Sequence, residues 1–118
     1  MILVDTSVWV DHLRSGSRVL VSLLQREEVL THPFVIGELA CGAIRNRAEV
    51  LAHLATLPRA TMADDDELLD FVERRRLFGR GIAWIDAHLL ASAVLSDARL
   101  LTLDRRLARL GANLGISA

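Results

Sequence analysis

Four acidic residues stand out because each is embedded in apolar sequence: Asp5, Glu38, Asp86 and Asp104. Asp5 and Asp104 each follow a short run of β-favouring residues, and the other two each interrupt an uncharged stretch with a helical pattern. A lone buried carboxylate is unfavourable unless it is paired or binds a metal ion. The simplest explanation is that the four side chains meet around a hard cation with oxygen ligands, Mg²⁺ or Mn²⁺. Such an ion suits phosphoryl chemistry, because it activates water and stabilises a leaving oxygen.

Each acid also has a structural explanation. Asp5 and Asp104 could be N-caps of the helices that follow their strands, because carboxylates accept hydrogen bonds from the first amides of a helix. Glu38 and Asp86 could be solvated positions on amphipathic helices, or could pair with an arginine. For any single acid the structural explanation is the better one. The set of four favours a metal site, because the structural explanations are independent and one site accounts for all four.

The elements that must position these acids alternate along the chain. Short apolar runs predict strands at 2–4, 29–31, 60–62, 100–103 and 112–116. Periodic apolar patterns predict helices between them, among them 46–57, 64–78 and 85–95. This alternation predicts an α/β sandwich with a short-stranded, mainly parallel sheet flanked by helices. In such folds ligands lie beyond the carboxyl ends of the strands, which is where Asp5 and Asp104 fall.

Length and composition exclude several classes of protein. The 118 residues predict one domain over 1–118. All 14 basic residues are arginines, which excludes P-loop and Schiff-base chemistry, and the single Cys41 excludes an internal disulfide and a cysteine-rich zinc site. No apolar stretch is long enough to span a bilayer, and the first ten residues lack the basic region of a signal peptide. We therefore expect a cytoplasmic protein with no membrane association.

The densest acidic run, residues 64–67, is a weaker candidate for a metal site than the four isolated acids. It lies at a predicted helix start, where acids are favoured by the helix dipole and by capping. The four histidines form no zinc-binding motif. We therefore expect residues 64–67 to cap a helix.

The four isolated acids and their flanking residues resemble the PIN-domain nucleases. The resemblance is carried by residues 2–9, 35–42, 86–91 and 101–104, and it extends from residue 1 to about 107. Because the four acids occur in the family's order, it is more specific than a single motif. The order and the chain length are most similar to the VapC toxins of bacterial toxin–antitoxin pairs.

This resemblance implies a PIN-like three-layer sandwich and a Mg²⁺- or Mn²⁺-dependent endoribonuclease, a hydrolase that cleaves RNA and is inhibited by a cognate VapB-type antitoxin. It also implies a homodimer. An apolar helix of the antitoxin could lie in a groove between helices. We expect the helix 46–57 and its neighbours to help form that groove or the dimer surface.

Individual roles also follow from the resemblance. Asp5, Glu38, Asp86 and Asp104 match the family's acidic quartet, and Thr6 or Ser7 and Thr102 match the hydroxyls that support it. Asp5 and Asp86 are expected to bind the metal directly. The other two acids would complete the shell directly or through water. The sequence departs from the family at Leu107, where an aromatic residue is frequent, and at Cys41, where a bulkier one is common; we expect both positions to be packing positions.

Two other functions stay open on the sequence. One is a catalytically silent PIN scaffold that acts in a DNA-binding toxin–antitoxin complex, against which the intact quartet argues. The other is a structure-specific DNA nuclease that uses the same metal site. Purified protein assayed on RNA and on single-stranded DNA would separate these functions.

The net charge of −1 does not exclude RNA. If the four quartet acids form one pocket, 11 of the 15 acids remain against 14 arginines, a surplus of three positive charges. Arg75, Arg76 and Arg80 are candidates for contact with the RNA backbone. The alternative is that the arginines at 74–76 form a solvated helix end favoured by the dipole. Two Trp, three Phe and no Tyr are too few for a base-stacking platform, so recognition should depend on shape and phosphate contacts.

Overall fold

The computed structural model describes residues 1–118 and has seven helices around a three-stranded parallel sheet. The strands are β1 (Ile2–Val4), β2 (Val29–Leu30) and β3 (Arg99–Leu101). The helices are α1 (Thr6–Ser15), α2 (Arg18–Gln25), α3 (Pro33–Cys41), α4 (Arg47–Thr56), α5 (Asp65–Arg74), α6 (Trp84–Leu95) and α7 (Arg105–Asn113). The predicted α/β class with a short parallel sheet is confirmed.

The first strand of the chain lies at the centre of the sheet. The strand order is β2-β1-β3, with Leu3 opposite Leu30 on one side and Leu100 on the other. Leu3 and Val4 are fully buried, as expected for a central strand covered by helices. From β1 the chain first goes to β2 on one side and then crosses to β3 on the other. A crevice at the carboxyl edge between β1 and β3 is the expected ligand position in such a sheet.

The helix α6 begins at this carboxyl edge. It precedes β3 directly, so it runs back along the sheet and contacts both β1 and β3. Residues 87–93 of α6 are all buried, and apart from His88 and Ser92 they are apolar, as suits such a central position. The first turn of α6 therefore lies close to the ends of β1 and β3.

Of the two positions that depart from the family pattern, Leu107 is a packing position as predicted, and Cys41 is not. Twenty buried residues form one contiguous apolar cluster that includes Leu107 of α7. Leu107 is 1% exposed, as expected of a packing position. Cys41 is exposed at the end of α3, so the expectation that it packs is wrong.

Two predicted strands are wrong. The segment 60–62 forms no strand, because the sheet continues on that side only as a single bridge between Thr31 and Arg59. The segment 112–116 begins inside α7, and only Ser117 makes a bridge, to Leu100. Ala60, Leu114 and Ile116 pack against the core without a second residue pairing in register, and Met62 is exposed.

The predicted helix 64–78 is shorter than expected. It ends at Arg74 because the amide of Leu77 donates to the carbonyl of Val72 and the amide of Arg76 donates to that of Glu73. Arg76 adopts a left-handed conformation with φ 53°, which completes this Schellman-type C-terminus. No helix of the chain combines the length and the hydropathy that crossing a bilayer requires.

Candidate metal centre

Asp5 lies at the carboxyl end of β1 and is 7% exposed. Its amide donates to the carbonyl of Leu101 (2.9 Å), which fixes its backbone against β3. Asp5 occupies the N-cap position of α1, but its side chain does not cap the helix. Instead its Oδ2 accepts hydrogen bonds from the hydroxyls of Ser7 (2.8 Å) and Thr102 (2.7 Å). The N-cap explanation is therefore wrong for Asp5, and its Oδ1 accepts no hydrogen bond within the protein.

Asp104 caps α7, as its structural explanation proposed. Its Oδ1 accepts from the amides of Arg106 (2.9 Å) and Leu107 (3.1 Å). Its own amide donates to the hydroxyl of Thr102 (3.0 Å). Capping uses only one carboxylate oxygen, so the cap does not exclude a further role for Oδ2.

Glu38 and Asp86 approach the same edge of the sheet from α3 and α6. Glu38 is exposed, and its Oε1 accepts a hydrogen bond from the hydroxyl of Thr6 (2.7 Å). Asp86 is half-buried in the first turn of α6, and its Oδ2 accepts from the amide of Ala83 (3.3 Å). Neither carboxylate pairs with an arginine, so the ion-pair explanation is wrong for both.

The four carboxylates share one hydrogen-bonding pattern. In each, one oxygen is held by the protein and the other accepts no hydrogen bond from it. The two salt bridges of the chain, Arg26–Glu28 and Arg74–Asp70, involve none of the four. The arrangement thus offers four free oxygens and no protein cation to neutralise them.

The other three acids are close enough to Asp86 to affect its pKa. Burial raises the pKa of this carboxyl above its usual value. The negative charges of Asp5, Asp104 and Glu38 raise it further, while the hydrogen bond from Ala83 opposes the rise. A bound cation would relieve this repulsion. No three acidic, histidine or cysteine side chains of the chain nevertheless converge closely enough to ligate one ion without help.

All three hydroxyls singled out in the sequence contact the carboxylates. Thr6 holds Glu38, whereas Ser7 and Thr102 both hold Asp5. Ser7 also accepts a hydrogen bond from the amide of Leu103 (3.0 Å). The hydroxyls therefore connect the ends of β1 and β3 as well as orienting the acids.

The three arginines predicted to meet RNA do not lie together. Arg75 and Arg76 follow the end of α5, and Arg75 lines a cavity with Val94 and Leu95 at the far end of α6 from Asp86. Its guanidinium carbon lies 5.9 Å from the centre of the Phe71 ring. Arg80 is exposed in the loop before α6, whose first turn carries Asp86. Of the three candidates, Arg80 is nearest in sequence to Asp86.

The acidic run 64–67 caps α5, as expected. The Oδ1 of Asp64 accepts from the amide of Glu67 (2.7 Å), and the Oε1 of Glu67 accepts from the amide of Asp64 (3.1 Å). This capping box accounts for both of these acids without a metal.

Sequence reasoning missed Arg106. Its Nη1 donates to the carbonyl of Gly81 (2.9 Å), in the loop before α6. The sequence offers only its position two residues after Asp104 as a sign of this role. Arg105 and Arg109 lie on the same helix, so an arginine there is not distinctive by itself.

The chain is similar to known proteins over almost its whole length. Residues 2–113 match the family described as PIN domain. The chain is 49% identical over 118 residues to Ribonuclease VapC32 of Mycobacterium tuberculosis, in strains CDC 1551 / Oshkosh and ATCC 25618 / H37Rv, which covers 99% of this chain and 95% of each relative. The crystal structure of PAE2754 from Pyrobaculum aerophilum shares the fold, with a TM-score of 0.60 and 20% identity over 92% of this chain and 78% of that one.

Proposed function

We propose, since this chain belongs to the PIN-domain family, that it is a VapC-type endoribonuclease toxin that hydrolyses RNA phosphodiester bonds with Mg²⁺ or Mn²⁺. The observation that carries this proposal is the set of four carboxylates, each with one oxygen held and one oxygen free, and none paired with a cation. Such oxygen donors suit a hard divalent ion.

Asp5 and Asp86 would hold the ion directly, and Glu38 and Asp104 would complete the shell through water. This assignment agrees with the separation of the carboxylates, because no three of them converge on one point and Mg²⁺ characteristically keeps several of its waters. The ion, when bound, activates water and stabilises the developing charge on the phosphate.

The protein's own contribution is to hold the carboxylates in fixed positions. The hydroxyls of Ser7 and Thr102 both use their single hydrogen on the Oδ2 of Asp5, so that side chain is restrained from two sides. Thr6 restrains Glu38 in the same way. Carboxylates that are oriented before the ion arrives need less reorganisation when it binds.

The proposed partners are an RNA substrate, a VapB-type antitoxin and a second copy of the chain. A cavity of about 330 Å³ lies between α1, α2 and α4, and it includes Leu13, Leu24, Val50 and Leu57. The predicted helix 46–57 supplies much of this lining, as its observed counterpart α4. We infer that an apolar helix of the antitoxin occupies this groove.

The test is the variant Asp5→Asn, which keeps the shape of the side chain and removes its charge. We expect RNA cleavage to fall by more than the roughly 10–100-fold that loss of an outer partner of a metal ligand costs. Growth arrest on induction should be lost as well. Cleavage by the unaltered protein should stop in EDTA. The matched control is Asp11→Asn, which removes an exposed acid of α1 and should change neither activity.

An Asp5→Asn protein that still cleaves RNA and still arrests growth would contradict the proposal. Cleavage of single-stranded DNA in preference to RNA would replace it with the DNA-nuclease function. Circular dichroism of both variants separates loss of activity from loss of the fold.

A further inference from the structure

The loop before α6 packs Ile82 against the core but has few hydrogen bonds of its own. Residues 78–82 make no backbone–backbone hydrogen bond. Gly79 and Gly81 both have left-handed backbone conformations, with φ 69° and 75°. This loop nevertheless leads directly into the first turn of α6, where the amide of Ala83 holds Asp86. The loop therefore contributes to the position of Asp86, together with the packing of residues 87–93 of α6 on the sheet.

Arg106 supplies the only hydrogen bond that fixes this loop. Its Nη1 donates to the carbonyl of Gly81 (2.9 Å), and its backbone amide donates to the Oδ1 of Asp104 (2.9 Å). Arg106 forms no salt bridge, so its guanidinium is not engaged by any carboxylate. Arg106 therefore connects the N-terminus of α7 to the loop that precedes α6.

The contact between Arg106 and Gly81 is closely fitted. A Cβ atom at position 81 would lie 2.5 Å from the Nη1 of Arg106 and 3.1 Å from its Cζ. Any side chain at 81 would displace the guanidinium, in addition to the strain imposed by the positive φ. A Cβ at Gly79 would meet nothing within 4 Å, although the backbone there has a similar φ.

We propose that Arg106 is a positioning residue that ties the loop before α6 to the first turn of α7 and thereby fixes Asp86 relative to Asp104. It acts through its hydrogen bond to Gly81, without touching RNA or the ion. The consequence for metal binding rests on the proposed function, whereas the consequence for the loop does not.

The first test is Arg106→Gln, with Arg109→Gln as the matched control, because Arg109 is an exposed arginine of the same helix that makes no side-chain hydrogen bond or salt bridge. We expect the backbone NMR order parameters of residues 79–81 to fall below about 0.6 in Arg106→Gln and to stay unchanged in the control. Calorimetry should show Mn²⁺ affinity lowered by roughly 10-fold, as for loss of an outer partner of a metal ligand. With saturating Mn²⁺ the KM for RNA should equal that of the unaltered protein.

The second test reaches the same contact from the other side. Gly81→Ala should lower the order parameters and the Mn²⁺ affinity as Arg106→Gln does, whereas Gly79→Ala should lower neither the affinity nor the order of residues 81–82. Because Arg106 and Gly81 act through one contact, the double variant Arg106→Gln/Gly81→Ala should be no worse than the more severe single one.

Unchanged order parameters in Arg106→Gln would overturn the proposal, as would a KM that rises while Mn²⁺ affinity is unaltered, since that result would make Arg106 an RNA ligand. The NMR measurement needs neither metal nor RNA. If the unaltered protein fails to cleave RNA, the proposed function fails while the role of Arg106 in the loop is still decided by the order parameters.

Discussion

The hydroxyl of Thr102 is shared by two acids of the centre. It donates to the Oδ2 of Asp5 (2.7 Å) and accepts from the amide of Asp104 (3.0 Å). A hydroxyl has one hydrogen and two lone pairs, so this pair of bonds defines its orientation. Thr102 therefore couples the side chain of Asp5 to the backbone at the start of α7.

We expect Thr102→Val to lower RNA cleavage by roughly 10–100-fold, because Asp5 loses one of its two restraints. The free energy of unfolding should fall by about 1–3 kcal/mol, because the partly buried carboxylate and the amide of Asp104 each lose a partner. Cleavage rates and urea denaturation measure the two effects. Thr102→Ser keeps the hydroxyl and should stay within a few-fold of the unaltered activity. A larger loss in Thr102→Ser than in Thr102→Val would show that the methyl group matters instead, because valine keeps that methyl.

Among the helices, α3 and α6 are joined by a buried pair of polar side chains. The Nδ1 of His32 accepts from the amide of Phe34 (3.0 Å) and so caps α3. Its Nε2 therefore carries the hydrogen and donates to the hydroxyl of Ser92 in α6 (3.0 Å). Burial, aided by the nearby ring of His88 on α6, lowers the pKa of His32 to about 4. This contact holds together the two helices that carry Glu38 and Asp86.

The lowered pKa of His32 predicts acid destabilisation. The unfolded chain takes up a proton near pH 6.5 and the folded one only near pH 4, so the stability present above pH 6.5 is lost as the pH falls towards 4. Between pH 7 and pH 5 the free energy of unfolding should fall by about 2 kcal/mol more than in His32→Asn, which keeps a capping side chain and does not titrate. Urea denaturation at both pH values measures the difference.

The control for this prediction is His53→Asn, which removes an exposed histidine from the last turn of α4. Its pH dependence should match that of the unaltered protein. The same dependence in His32→Asn as in the unaltered protein would assign the acid sensitivity to other groups.

Apolar runs in the sequence predicted some strands correctly and others wrongly. The apolar run before Asp5 and the apolar run before Asp104 predicted strand ends, and parallel pairing brought those ends to one edge of the sheet. The strand predictions for 60–62 and 112–116 were wrong, because an apolar run of this length forms a strand only if a neighbouring strand pairs with it in register. That neighbour is a property of the tertiary structure.

The candidate site could be predicted from the sequence only in part. Asp5, Glu38, Asp86 and Asp104 were distinguishable because their apolar flanks make a charge conspicuous. Arg106 donates to the backbone carbonyl of Gly81, 25 residues earlier. A backbone acceptor is present at every residue, so nothing in the sequence marks Gly81 as the partner. The sequence contained the acids of the site but not the contact that fixes two of them relative to each other.

At the scale of the whole molecule, the charge outside the acidic centre favours weak RNA binding. With the four acids set apart, 14 arginines face 11 acids. Binding to single-stranded RNA should therefore weaken as salt is added, with a slope set by the number of phosphates contacted. The position of each arginine relative to the centre decides which of them contribute.

We expect Arg80→Gln to weaken RNA binding in EDTA and to reduce the magnitude of the salt slope by about 0.7, the value for one contact with single-stranded RNA. Arg80 lies in the loop next to α6, whereas Arg75 lines a cavity at the far end of that helix. Arg75→Gln should therefore change neither quantity. Fluorescence polarisation across a salt series provides both numbers, and an equal loss in the two variants would place the RNA path over the end of α5.

The central position of β1 has a consequence for synthesis on the ribosome. Asp5 is translated early, but one of the two hydroxyls that hold it belongs to Thr102, 97 residues later in the sequence. Until β3 has been translated, β1 lacks one of its two neighbours and Asp5 lacks the carbonyl of Leu101. A nascent chain that has not reached residue 104 therefore lacks one of the four carboxylates of the proposed metal centre. We therefore expect nuclease activity to appear only once the chain is nearly complete.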